Sequence, residues 1–148
     1  MELEKEISTK FENSYHKAVV NIVYTYGWVT TILKERLRKH KITMQQFNVL
    51  RILRGQYPNP ATINLLKERM LDKMSDASRI VDRLVQKGLV SRTVNAADRR
   101  AVDIVITEKG LALLAKVGTE GLAVDAVREN LSENEVEQLN GILDKLRG

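Results

Sequence analysis

The feature that most constrains this chain is a change of period at Lys87-Gly88-Leu89. Before it, apolar residues recur at Ala77, Ile80, Val81, Leu84 and Val85, the spacing of one face of a helix. After it they alternate: Val90, Arg92 and Val94 share one face, and Val102, Ile104 and Ile106 share another, the spacing of two strands. A lysine in the last helical turn and a glycine free to take positive φ end the helix. Asn95-Ala96-Ala97-Asp98 supplies turn chemistry between the strands. The result is a helix followed directly by a hairpin whose charged tip ends Asp98-Arg99-Arg100.

The residues upstream extend this unit. Thr43-Met44-Gln45-Gln46 fits a capping box and opens a helix with Phe47, Leu50 and Leu53 on one face. Gly55 to Pro60 breaks it, because two prolines within three residues cannot continue a helix. A short helix follows from about Thr62 to Met70, then a turn at Leu71-Asp72-Lys73-Met74, with Ser75 as the expected N-cap of the next helix. That helix turns Asp76, Arg79, Asp82, Arg83 and Gln86 away from its apolar stripe. Two helices joined by a short turn, the second with a hydrophilic face, form a helix-turn-helix candidate. With the hairpin behind it, the stretch has the sequence form of a winged helix.

The flanks read as helical. A charged amino terminus is expected to fray, after which Val19, Ile22, Val23, Tyr26, Val29, Ile32, Leu33 and Leu37 follow a helical period for about five turns. So long a helix is hard to bury within one small domain, and part of its stripe is expected to meet a second subunit. Its basic exit, Lys34 to Lys41, complements the C-terminal dipole or touches phosphate. Thr107 is expected to cap one further helix carrying Leu111, Leu114, Val117, Leu122, Val124 and Val127, weakened locally at Gly118 and Gly121. Ser132-Glu133-Asn134-Glu135 is a second capping box and opens a last helix. The fold class is therefore mainly α with a small β-hairpin wing. Residues 42–109 form the winged helix-turn-helix lobe, flanked by dimerisation helices in 1–40 and 110–148.

Charge narrows the function. The chain of 148 residues carries +5 at neutral pH, which favours a polyanionic partner. From Thr62 to Arg100 nine basic residues face five acidic ones, whereas from Thr107 onward eight acidic residues face five basic ones. With no cysteine and two histidines, disulfides, a Cys nucleophile and thiol redox sensing are excluded, and a transition-metal site is not expected. There is no Gly-rich phosphate loop and no paired His/carboxylate constellation, so neither an enzyme nor a cofactor is expected. The first six residues are charged where a secretory signal needs an apolar core, and no apolar run approaches roughly 18 residues. The expectation is a cytoplasmic protein.

A recognition helix in the major groove reads bases from its N-terminal half while flanking cations hold phosphates. Arg79 could pair bidentately with guanine, and Arg83 could read a base or clamp a phosphate. Ser75, Asp76 and Ser78 are short enough for close edge or phosphate contacts, with Asp76 able to accept from a cytosine amino group. The competing reading is a solvated face in which Asp76, Arg79, Asp82 and Arg83 pair along the helix. Arg99 and Arg100 suit a narrow minor groove, Arg92 a phosphate, and Asp98 the support of a neighbouring arginine.

The motifs Ile80-Val81-Asp82-Arg83-Leu84, Lys87-Gly88-Leu89-Val90, Asp98-Arg99-Arg100 and Ile104-Val105-Ile106-Thr107, with Gly110, make the chain resemble the MarR-type transcription regulators. The resemblance implies a triangular homodimer that binds a pseudo-palindromic double-stranded DNA operator, with Arg100 as the minor-groove arginine and Asp98 as its supporting acid. It also implies a small aromatic or phenolic effector held between the dimer base and the DNA lobe, for which Tyr24, Trp28, Met44 and Phe47 are the candidates. The leading expectation is a repressor released by such an effector. The alternative is a winged helix used for protein interaction or for non-specific architectural DNA binding.

Overall fold

The computed structural model describes residues 2–118 and 123–148. In chain order it has α1 (Leu3–Ile7), α2 (Ser14–Arg38), α3 (Met44–Gln56), α4 (Ile63–Arg69), α5 (Ala77–Gln86), β1 (Val90–Val94), β2 (Val102–Ile106), α6 (Glu108–Val117), α7 (Ala123–Asn130) and α8 (Glu133–Arg147).

The core lies in the central lobe. From α3 it takes Phe47, Val49, Leu50 and Leu53, from α4 Leu66, from α5 Ala77, Val81 and Leu84, and from the hairpin Val90, Ile104 and Ile106. Each fully buried aliphatic side chain contributes about 1.5–3 kcal/mol. The expected capping box at Thr43 is formed, with its hydroxyl accepting from Gln46 N at 3.1 Å and Gln46 Oε1 accepting from Thr43 N at 3.2 Å.

β1 and β2 are antiparallel, with Val90 opposite Ile106, Arg92 opposite Ile104 and Val94 opposite Val102. The other edge of β2 is also engaged. Ala61 N donates to Ile104 O at 2.8 Å and Ile104 N to Ala61 O at 2.9 Å, so the hairpin is fastened to the residue just after Pro60. A single residue between a proline and a helix cap carries no alternation, which is why sequence periodicity misses this bridge.

Two expectations about the flanks are corrected. The charged amino terminus is ordered as α1: Leu3 is buried, Lys17 Nζ donates to Glu4 at 2.5 Å, and the Tyr24 hydroxyl donates to Glu6 at 3.2 Å. The hydrogen bond from Lys17 holds the Glu4 carboxyl below its usual range, so this tie is present at neutral pH and is lost as pH falls through the lowered value. The expected single helix after Thr107 is two helices, because Gly118 closes α6 with φ 74° and ψ 163°, a conformation that residues with a Cβ avoid. Leu122 and Gly121, placed in that helix from sequence, lie outside the described residues.

The long N-terminal helix is present, but Val19, Ile22, Val23 and Tyr26 of its stripe are exposed. α8, opened by the expected capping box at Ser132, buries no residue, and its Ile142 and Leu146 are exposed.

One glycine is required by packing. A Cβ on Gly110 would stand 2.3 Å from Leu89 O and 2.6 Å from Ile106 Cγ1, so α6 can lie against the base of the hairpin only without a side chain there. Gly110→Ala is expected to destabilise the protein by about 1–3 kcal/mol or more, read as a lower urea midpoint at unchanged slope.

Candidate nucleic-acid interface

α5 is rotated by its buried stripe. Ala77, Val81 and Leu84 face the core, and Asp76, Ser78, Arg79, Asp82 and Arg83 are left exposed on the other side. The cap is not Ser75. Asp76 is the N-cap, its Oδ1 accepting from Arg79 N at 3.2 Å, while Ser75 is half-buried and its N–H is directed to Asp72 O at 3.3 Å. The carboxylate outcompetes the serine because it sits at the residue with extended φ/ψ, three residues before the orphan N–H, and complements the positive helix end.

The second acid of this face is committed as well. Asp82 forms an ion pair with Arg92 of β1, which links recognition helix and hairpin directly. The pairing of acids and arginines along α5 is therefore not what the chain adopts. Among the described residues Arg79, Arg83, Arg99 and Arg100 have no ion pair, and all four are exposed.

The hairpin tip is built by side chains. Asn95 Oδ1 accepts from Ala97 N at 2.8 Å and Asp98 N at 2.9 Å, and its Nδ2 donates to both carboxylate oxygens of Asp103 at 3.0 and 3.2 Å. Asp98 Oδ1 accepts from the backbone N of Arg100 at 3.0 Å. Asp98 thus holds the arginine-bearing backbone rather than a guanidinium. The turn preceding α5 is fixed in the same manner, by Asn48 Oδ1 accepting from Leu71 N at 2.9 Å and Asp72 Oδ1 accepting from Met74 N at 3.0 Å. Sequence reading did not single out Asn48 or Asp103. Asp103 is signalled only as the one polar residue of β2, and Asn48 stands among other polar residues of α3 with no distinguishing signal.

Of the candidate effector residues, Tyr24 and Trp28 lie exposed on α2 and Met44 and Phe47 lie on α3. Phe47 is buried, with the Arg51 guanidinium 5.8 Å from its ring centre, and the Tyr24 hydroxyl is engaged by Glu6 of α1. Only Met44 of the four lines the cavity of about 920 Å³ between α2 and the α4–α5 turn, where Tyr26, Lys34, Arg38, Met70 and Leu71 join it. Tyr26 is two positions from both Tyr24 and Trp28, which on a helix turns its side chain by about 200° relative to theirs. Among the described residues no cluster of three or more His, Cys, Asp or Glu could hold a metal, and no helix is long and apolar enough to cross a membrane.

The sequence profile of the MarR family matches residues 42–102, the segment from the entry of α3 to the start of β2. Over that segment the chain is similar to the MarR family. It is 28% identical over 131 residues to the HTH-type transcriptional regulator MhqR of Bacillus subtilis, covering 88% of this chain and 89% of that one. It is 36% identical over 76 residues to the HTH-type transcriptional repressor MdtR of the same organism, covering 51% and 48%. The crystal structure of a MarR mutant from E. coli complexed with operator DNA superposes with a TM-score of 0.72 at 27% identity, covering 99% of both chains. The MarR-type match thus falls on the lobe that carries the exposed arginines, and the superposition extends to both terminal segments.

Because Asp76 caps α5, Asp76→Ala is expected to cost about 0.5–2 kcal/mol in urea unfolding, with Asp76→Asn retaining most of the stability. Equal stability of wild type and Asp76→Ala would remove the capping role.

Proposed function

We propose that this protein is a sequence-specific transcriptional regulator that binds double-stranded DNA as a homodimer and represses until a small effector releases it. The observation that carries the reading is the commitment of both recognition-helix acids. Asp76 is spent on the helix cap and Asp82 on Arg92, leaving Arg79 and Arg83 on one exposed face beside a wing that ends in Arg99 and Arg100. Exposed guanidinium groups without intramolecular partners suit base edges and phosphates, for which they need give up no existing bond. The MarR-type relatives support it, since MdtR is named a repressor and the superposed MarR structure contains operator DNA.

Within this reading Arg79, with Ser78 and the groups at the start of α5, reads bases; Arg83 reads a base or holds a phosphate. Arg99 and Arg100 enter the minor groove. Arg92, engaged by Asp82, sets the angle between helix and wing and offers its remaining N–H groups to phosphate.

Residues 1–40 and 110–148 form the dimer base, supported by the exposed apolar residues of α2 and by α8, none of whose residues is fully buried. A second copy covering these stripes would bring two lobes to a fixed separation, which is what a pseudo-palindrome requires. Met44, Tyr26 and the cations Lys34 and Arg38 around the cavity suit a small aromatic or phenolic effector, bound most tightly as its anion. A cytoplasmic location follows from a DNA target. No catalytic role is assigned, in keeping with relatives that are transcription regulators.

Selection of bound sequences from a randomised duplex pool is expected to yield an inverted repeat, with affinity falling steeply as salt rises. Arg100→Ala should weaken binding to all sequences and lower the salt slope by about one, whereas Arg79→Ala should relax preference at one position per half-site at a cost of about 1–3 kcal/mol. Equal affinity for every duplex, unaffected by either substitution, would defeat the proposal.

A further inference from the structure

We propose that Asn95 is the positioning residue of the wing, clasped to Asp103, and that this pair rather than the tip sequence alone presents Arg99 and Arg100 to DNA. The inference rests on the wing being a DNA contact, as proposed above.

The geometry is specific. Asn95 closes the end of β1, and its N donates to Ala101 O at 3.0 Å across the tip. Its side-chain oxygen accepts from two consecutive N–H groups, Ala97 and Asp98, and its side-chain nitrogen faces a carboxylate. Turning the amide over would set N–H against N–H and oxygen against carboxylate, so one orientation alone satisfies the site. Asp103 lies on β2 opposite Thr93, within the paired part of the hairpin. The clasp therefore transmits the position of the rigid ladder to the loop. Asn95 and Asp103 are half-buried, whereas residues 96–100 are exposed.

The chain of bonds continues to the arginines. Asp98 N is held by Asn95, Asp98 O accepts from Ala101 N at 3.0 Å, and Asp98 Oδ1 accepts from Arg100 N at 3.0 Å. A loop of exposed residues that must enter a groove without this network would lose conformational entropy on binding. Asn95 removes that loss beforehand and touches no DNA itself.

The test uses the full-length protein and a fluorescent duplex carrying the most enriched sequence of the selection above. Asn95→Ala is expected to bind about tenfold or more weakly, the scale of a lost groove contact. Adding Arg100→Ala to Asn95→Ala should cost little more, because the arginine is already misplaced. In the free protein, the amides of Ala97 and Asp98 should exchange faster while the thermal midpoint stays near wild type. Asn95→Asp, which sets two carboxylates face to face, should bind weakly, and the double variant Asn95→Asp/Asp103→Asn should recover, because donor and acceptor are then merely exchanged. Wild-type binding by Asn95→Ala, fully additive losses with Arg100→Ala, unchanged exchange at the two amides, or no recovery in the double variant would each overturn the clasp. If Arg100→Ala alone leaves binding unchanged, the wing itself is not a DNA contact and both readings fall. That result is distinct from a weakened Arg100→Ala beside an unaffected Asn95→Ala, which removes the clasp only.

Discussion

Ala77, Val81 and Leu84 recur at intervals of four and three, and all three are completely buried. Burying that stripe against the core leaves α5 one rotation about its axis, because any other would expose large apolar side chains or bury charged ones without partners. Everything on the opposite face follows from this constraint. Ser78, Arg79, Asp82 and Arg83 point outward together, and Asp82 comes within reach of Arg92 on the first strand of the wing. That ion pair is half exposed and adds little stability. Its importance is geometric, since it connects a helix to a hairpin that hydrophobic burial alone would hold less specifically.

The hairpin is secured at three levels of the lobe. Ile104 is buried and paired on one side with Arg92 and on the other with Ala61. Leu89 O and Ile106 close against Gly110 so tightly that α6 approaches the base of the wing with no side chain between them. At the far end, Asn95 and Asp103 shape the exposed tip by hydrogen bonds. Rigidity thus passes from core packing to ladder to polar network as distance from the core increases. The arginines stand at the end of that sequence, held by backbone contacts and left with their guanidinium groups exposed.

The terminal helices obey a different logic. α2 and α8 have the periodicity of buried elements, yet Val19, Val23, Tyr26, Ile142 and Leu146 are exposed. Apolar stripes of this length on two helices exceed what a monomer normally presents to water. In the homodimer proposed above, a second copy of the chain would cover them, and the distance between two lobes would then be a property of the helices rather than of the lobe. The cavity beside Tyr26 and Met44 lies where α2 meets the α4–α5 turn, so a ligand there would touch the terminal helix and the approach to α5 at once.

The sequence by itself determined the order and kind of the central elements, the break at Gly55–Pro60, the two capping boxes and the exposed arginines. These are local: periodicity, turn chemistry and caps involve residues within a few positions of each other. Tertiary structure alone decided which polar groups meet across distance. Asp82 with Arg92, Asn95 with Asp103, Asn48 with the α4–α5 turn and Ala61 with Ile104 all join different elements or opposite strands. It also moved the cap of α5 from Ser75 to Asp76, divided the helix after Thr107 at Gly118, ordered the amino terminus, and placed Tyr26 rather than Tyr24, Trp28 or Phe47 at the cavity. Each depends on backbone angles or on the rotation of a helix about its axis. A shift of one residue changes both, and an apolar pattern does not resolve so small a shift.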